Sequence, residues 1–341
     1  MTQINFFARR SHFIDHLAPI YNELGNRKGC FFIPVELEQY AIKLGIEPDI
    51  LKPRMKNNPM EVAPPTVLGP LLVASVGDLQ MAYLTGSRKI VLMEHGPGIT
   101  FPGNSSYAGN MGYRKKALLT LAPNRFVFEK TRSVMPEANQ AVIGTPMLDR
   151  YAGRFTDSRI IPVKPTIAIA FHWDGSRVAP EAGNAFRHYQ SIIPELAKCP
   201  DLNLIAHGHP RNLEGYRGFY EKLGVEVVSD FHEVMDRAHL LINDCSSIAY
   251  MFLATGWPVI LLNAPWFRKN VNFGLRFWDY TNIGEQVDNP NDLFNAISRT
   301  VSERYRLHIN ERFHALLNLF PFLGYSAATA VSILKKEFQG E

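Results

Sequence analysis

Leu240-Leu241-Ile242-Asn243-Asp244-Cys245-Ser246-Ser247-Ile248-Ala249-Tyr250 is the stretch that decides the architecture. Apolar residues run without alternation into Asn243 and Asp244, and a serine pair then opens a segment of helical period. A continuous apolar run is what a strand covered on both faces looks like, and a strand whose polar end feeds a helix is half of a parallel α/β unit. The rhythm recurs around it. Candidate strands lie at 166–171, 202–206, 225–228, 240–243 and 259–262, with helices near 182–197, 213–223, 246–254 and 291–305.

Toward the N-terminus the same alternation predicts strands at 4–8, 30–35, 71–75, 89–93, 125–128 and 140–143. The first is followed by a helix over 12–24 with Phe13, Leu17, Ile20, Tyr21 and Leu24 on one face. A proline- and charge-rich stretch at 144–165 reads as a linker with a short helix. The expected organisation is a Rossmann-like domain over 1–163 and a second over 164–309. Helices over 310–341, broken at Pro321 and Gly324, are expected to pack across the domain junction.

Composition fits this class. With 341 residues, 46% hydrophobic and 20% charged, the chain is neither disordered nor fibrous, and its length suits two domains. The net charge of +4 is too balanced for a nucleic-acid coat, although 1–163 carries +6 and the remainder −2. Cys30, Cys199 and Cys245 lie far apart and form no CxxC pair, as expected of a reducing, cytoplasmic setting. No stretch reaches the length of a spanning helix, and Asn104-Ser105-Ser106 is a glycosylation acceptor in form only.

In open parallel sheets ligands bind beyond the carboxyl ends of the strands. Four histidines fall there: His95 after 89–93, His172 after 166–171, and His207 and His209 after 202–206. Ser246 and Ser247 bring hydroxyls, backbone N–H groups and a positive helix end beside Asp244, a pattern that suits phosphate. The plainer alternative is an ordinary N-cap. His209 and Arg211 at a neighbouring strand end favour the anion, because a guanidinium fork matches phosphate oxygens. A metal held by His207, His209 and Asp244 would leave the serines and Arg211 without a purpose. No GxxxxGK[ST], GxGxxG after a strand or GxSxG is present, which argues against P-loop, dinucleotide-binding and α/β-hydrolase chemistry.

The run from 202 to 263, with His209-Pro210, Asn243-Asp244-Cys245-Ser246-Ser247 and Gly256-Trp257-Pro258, resembles the C-terminal domain of the CDP-glycerol glycerophosphotransferases of teichoic acid synthesis. These belong with GT-B glycosyltransferases and UDP-N-acetylglucosamine 2-epimerases. Gly144-Thr145-Pro146-Met147-Leu148-Asp149 resembles a Gly-x-Pro-x-x-Asp element of the same superfamily. The resemblance implies an α/β GT-B fold, two facing Rossmann-like domains with parallel sheets and an interdomain cleft. It implies a donor diphosphate at His209, Ser246 and Ser247, and a base at His95. Cys245 stands where the family usually has Tyr, and Pro97, Gly98 and Ile99 depart from the pattern after His-Gly.

The resulting expectation is a metal-independent transferase that needs no cofactor beyond a nucleotide-diphosphate-activated donor, which is its substrate. His95 is the candidate base, with Glu94 as a rival. Asp244, Ser246, Ser247, His209 and Arg211 are expected around the diphosphate, and His172, Trp173 and Asn263 around the nucleoside. The acceptor class stays open among polyol phosphate, glycan and nucleic acid. Arg114-Lys115-Lys116 with Lys52, Arg54 and Lys56 would serve the last of these. A non-hydrolysing epimerase and a non-catalytic nucleotide-sugar binding module are the alternatives.

Overall fold

A computed structural model describes residues 2–339 apart from 52, 56–57, 63–64, 98–110, 157–159, 177–182, 268–281 and 304–306. Asn104-Ser105-Ser106, Gly98, Ile99, Lys52 and Lys56 therefore lie outside the described residues, as do the side chains of Arg54 and Arg211. The chain forms two compact units, one from Met1–Gly98, Ala108–Ala152 and Asn318–Glu341, the other mainly from Gly153–Leu317.

The first unit contains strands β1 (Ile4–Phe7), β2 (Lys28–Pro34), β3 (Pro48–Leu51), β6 (Leu71–Val73), β7 (Ile90–Met93), β8 (Leu119–Ala122) and β9 (Gln140–Val142), with a small hairpin of β4 (Pro53–Met55) and β5 (Asn58–Val62). Its seven-stranded sheet has the order β3-β2-β1-β6-β7-β8-β9, and every pairing is parallel. Helices α1 (Ser11–Glu23), α2 (Glu38–Lys43), α3 (Val76–Ala82), α4 (Met111–Arg114) and α5 (Arg125–Val134) connect the strands, and α13 (Ser326–Glu337) joins the same unit. The apolar face expected of the first helix is buried: Phe13, Ile14, Leu17, Ile20 and Tyr21 pack with Phe6, Phe31 and, from α13, Val331 and Leu334.

The second unit holds β10 (Thr166–Phe171), β11 (Asn203–Gly208), β12 (Glu226–Val227), β13 (Leu240–Asn243), β14 (Val259–Leu262) and β15 (Glu285–Val287) in the order β12-β11-β10-β13-β14-β15, again all parallel. Its helices are α6 (Phe186–Tyr189), α7 (Ile193–Lys198), α8 (Pro210–Lys222), α9 (Phe231–Arg237), α10 (Ile248–Phe252) and α11 (Leu293–Ser302), and α12 (Ile309–Leu319) runs across the boundary of the two segments. All four residues of β13 and of β14 are buried, as strands covered on both faces must be.

Three expectations need correction. The segment 125–128 is the start of α5 rather than a strand; the strand is β8, and Pro123-Asn124 separates the two. Asn124 Oδ1 accepts from Val127 N at 2.9 Å, a cap that begins the helix. The helix expected over 182–197 is split into α6 and α7, because Pro194 has no N–H to continue the ladder. β11 extends to Gly208, so His207 lies inside the strand. The edge strands β3 and β15, and α9, were not expected.

The Gly144–Asp149 element docks the last helix. Asp149 Oδ1 accepts from Gly324 N at 2.9 Å and Ser326 N at 3.1 Å, and Oδ2 accepts from Ala327 N at 2.8 Å. One carboxylate thus neutralises the N–H groups at the start of α13. Gly144 has φ +84°, and a Cβ there would collide with Ser326 Oγ and the Pro321 carbonyl. Only glycine fits.

Candidate functional site

The strand orders point to two places. In the first sheet the chain reverses its direction of travel between β1 and β6, and in the second between β10 and β13. Crevices open beyond the strand ends at such reversals, because the two connections leave on opposite faces of the sheet.

At the first reversal, β1 runs into Ala8-Arg9-Arg10 and β6 into Ala74-Ser75. Arg9 Nε donates to Asp78 Oδ1 at 2.7 Å, and Asp78 N in turn donates to Ser75 Oγ at 2.9 Å. Asp78 is buried, and burial pushes its carboxyl up against the opposing pull of Arg9. His95, one strand further along after β7, reaches back to this edge, and its ring is hydrogen-bonded to the Ala74 carbonyl. A carbonyl only accepts, so that ring nitrogen carries the proton and the other keeps its lone pair.

Three rings surround His95: Phe13 at 5.0 Å between centroids, His16 at 5.8 Å and His12 at 6.2 Å, all from α1. Solvent reaches His95, but these rings and the strand ends displace enough water to lower its pKa from the ordinary 6.5, with the Ala74 bond pulling the other way. A strand-end imidazole held neutral with one nitrogen occupied and one available is poised to take a proton. His12 and His16 were not anticipated. Their spacing of four on the helix after the first strand was the signal, since it places both on one face.

Glu94 forms an ion pair with Arg114, and both side chains are largely buried. Burial lowers the Arg114 pKa to about 10. The other members of the basic run are also engaged: Lys115 pairs with Glu137 at 3.5 Å, and Lys116 sits over the rings of Tyr83 and Tyr113 at 5.0 and 5.4 Å. Lys115 and Lys116 are exposed.

At the second reversal, the ends of β10 and β13 bring His172 beside Asp244. Asp244 is 1% exposed; its Oδ1 accepts from His172 N at 2.9 Å and its Oδ2 from Ala185 N at 3.0 Å. Both oxygens hold backbone, so Asp244 braces the turn, and a carboxylate beside phosphate would in any case repel it. His209, after β11, meets His172 edge to face at 5.7 Å, and the Trp173 ring lies at the same distance from His172, tilted by 46°.

Gly208 lets β11 approach this corner: a Cβ there would stand 3.1 Å from the Phe171 carbonyl. Ser246 and Ser247 follow Asp244 after Cys245, and Ser247 makes no side-chain cap bond to α10. Capping therefore does not consume that hydroxyl.

His207 does not join His209. Its Nδ1 hydrogen-bonds the Val228 carbonyl at 2.8 Å, its ring lies 5.5 Å from Phe231, and burial lowers its pKa. The His207, His209 and Asp244 metal set is thereby dispersed, and among the described residues no other cluster of that kind occurs. Asn263, after β14, is buried and gives its Nδ2 to Gln286 Oε1 at 3.1 Å and Asp288 Oδ1 at 2.8 Å. It ties β14 to β15 rather than standing with His172. Arg211 lies in the first turn of α8, directly after His209-Pro210.

No family model matches the chain, and no curated protein sequence matches it. Solved structures do. A putative UDP-N-acetylglucosamine 2-epimerase from Listeria monocytogenes superposes with a TM-score of 0.65 at 14% identity, covering 100% of this chain and 98% of that one. The UDP-GlcNAc 2-epimerase of Neisseria meningitidis, bound to UDP-GlcNAc, gives 0.62 at 14%, over 98% and 100%. A variant of the wall teichoic acid polymerase TagF gives 0.63 at 14%, over 98% and 89%. The chain has the GT-B fold. Epimerase and polymerase match it almost equally, so the likeness shows the fold and does not separate the two chemistries. No described helix is long and apolar enough to cross a membrane.

Proposed function

We propose that this GT-B chain is a transferase acting on a nucleotide-diphosphate-activated donor, with a sugar or glycerol phosphate as the transferred group. The observation that carries the reading is the contact of His172 with His209 beyond β10 and β11, next to the turn in which Asp244 holds the His172 N–H and the chain leads through Cys245 to Ser246 and Ser247. Imidazoles, hydroxyls and the backbone N–H groups before α10 form the kind of donor set a diphosphate takes. Arg211, in the first turn of α8, is the guanidinium we assign to the same charge. Trp173 offers a face for the nucleobase, and Asn263 braces the neighbouring strand end.

His95 is the proposed base for the acceptor hydroxyl. The acceptor oxygen then bonds to the transferred group, and the bond to the departing nucleotide breaks, leaving its electron pair on a phosphate oxygen. The serines, His209 and Arg211 stabilise that growing charge. Glu94 is the weaker base, because the Arg114 guanidinium already occupies its carboxylate.

An epimerase would need free acid and base carboxylates at the same edge. Asp78 and Glu94 both pair with arginines, and epimerisation stays the alternative that the product assay decides. The resemblance of the fold to UDP-GlcNAc 2-epimerases and to TagF supplies the donors to try first.

The test incubates the protein with UDP-GlcNAc, CDP-glycerol and other nucleotide sugars, with polyol phosphate, glycan and nucleic acid as acceptors, and measures free nucleotide. His95→Ala should bind donor normally and lose about 10²- to 10⁴-fold in turnover, the usual contribution of a general base. Full turnover in that variant would remove His95 from the mechanism. Conversion of UDP-GlcNAc to its 2-epimer without release of nucleotide would replace transfer by epimerisation.

A further inference from the structure

The turn that carries His172 leaves the sheet. The last ladder pair is Phe171 with Gly208, and the last backbone bond across it is His209 N to the Phe171 carbonyl at 3.1 Å. Beyond that point His172 is held by side chains. Its N–H donates to Asp244, as above, and its carbonyl accepts from Asn184 Nδ2 at 2.6 Å.

Asn184 is 4% exposed, and its amide is fully used. Its second N–H donates to the Tyr216 hydroxyl at 3.1 Å, and its Oδ1 accepts from Phe186 N at 3.2 Å. Tyr216 belongs to α8, the helix that begins directly after His209. Its hydroxyl also accepts from Asn212 Nδ2 at 3.3 Å, and its ring stacks on Phe186 at 4.0 Å with the planes 13° apart.

A buried amide is costly unless every polar atom finds a partner, and apolar side chains would fasten a helix to a sheet at less cost. The expense is explained by what is joined: one turn carries His172, and the other carries His209. We propose that Asn184 and Tyr216 are positioning residues of the donor site. They lock the turn after β10 to the first two turns of α8 and so fix the edge-to-face pair of His172 and His209 against which the nucleoside diphosphate end of the donor binds. This assignment rests on the donor reading given above.

Asn184→Asp keeps the size and the acceptor but removes both donors; Tyr216→Phe keeps the ring and removes the hydroxyl. For each variant the melting temperature, calorimetric titration with UDP and with CDP, and the imidazole ¹⁵N–¹H correlations are measured. His172 and His209 signals are assigned from His172→Gln and His209→Gln. Asn184→Asp should weaken nucleotide binding by on the order of tenfold, one lost net hydrogen bond, and move both imidazole signals in the free protein. Tyr216→Phe should fall between it and wild type, and carries the test if Asn184→Asp does not fold.

Variants that melt earlier but bind with unchanged affinity and unmoved imidazole signals would overturn the assignment. A wild-type protein that binds neither nucleotide, with no response from either histidine, would overturn the donor reading and the positioning assignment together.

Discussion

Replacing Asp149 by alanine tests whether one carboxylate fastens the last helix to the first unit. It accepts from three backbone N–H groups at 2.8 to 3.1 Å, separated from it in sequence by 175 to 178 residues. A hydrogen bond to a charged group contributes about 1.5–3 kcal/mol, but three that share a half-buried carboxylate cannot each reach that value, so about 3 kcal/mol in all is expected. The helix start left behind would also lose a favourable charge, worth roughly 0.3–1 kcal/mol. At about 2–4 °C per kcal/mol, the first unit should melt roughly 7–16 °C earlier.

Asn is the informative comparison. It retains one carbonyl oxygen for Gly324 and Ser326 but turns an NH₂ toward the Ala327 N–H, so it should recover less than half of the loss. Urea unfolding and hydrogen exchange across α13 read both effects, because the amides of Ser326 and Ala327 should lose protection first. An Asp149→Ala protein within about 0.5 kcal/mol of wild type, with α13 still protected, would refute the docking role.

Gly144→Ala should be at least as damaging, since the backbone sits at φ +84° and the added carbon meets Ser326 and Pro321; soluble yield and melting temperature check it. His207 titrates below its ordinary value of 6.5, so the unfolded chain binds its proton first and stability should fall as pH drops through and below that point. His207→Gln should flatten that part of the urea-midpoint profile between pH 7.5 and 5.5. Ser246→Ala combined with Ser247→Ala should weaken UDP and CDP binding by about tenfold or more without moving the melting temperature by more than a degree or two. Affinity unchanged in the double variant would move the diphosphate elsewhere.

The sequence by itself determined the repeating apolar runs and hence two parallel, helix-covered sheets. Those strands are buried on both faces, and burial leaves a composition that no partner is needed to read: β13 and β14 fall where their apolar runs fall. The strand ends named His95, His172 and His209 for the same reason. Edge strands such as β3 and β15 carry half-exposed, mixed residues and leave no such trace, and Pro123-Asn124 hid a strand by shifting attention to the helix behind it.

Only the tertiary structure decided what each of these polar residues does, because their hydrogen-bond partners lie 21 to 178 residues apart and local spacing carries no record of them. Asp244 looked like part of a phosphate cradle and proves to brace a turn. His207 looked like a twin of His209 and points to Val228, since β11 runs two residues further than its apolar run suggests. The glycine and aspartate of 144–149 resembled a family signature, and their reason for being those residues became physical only when α13 was seen to start on them.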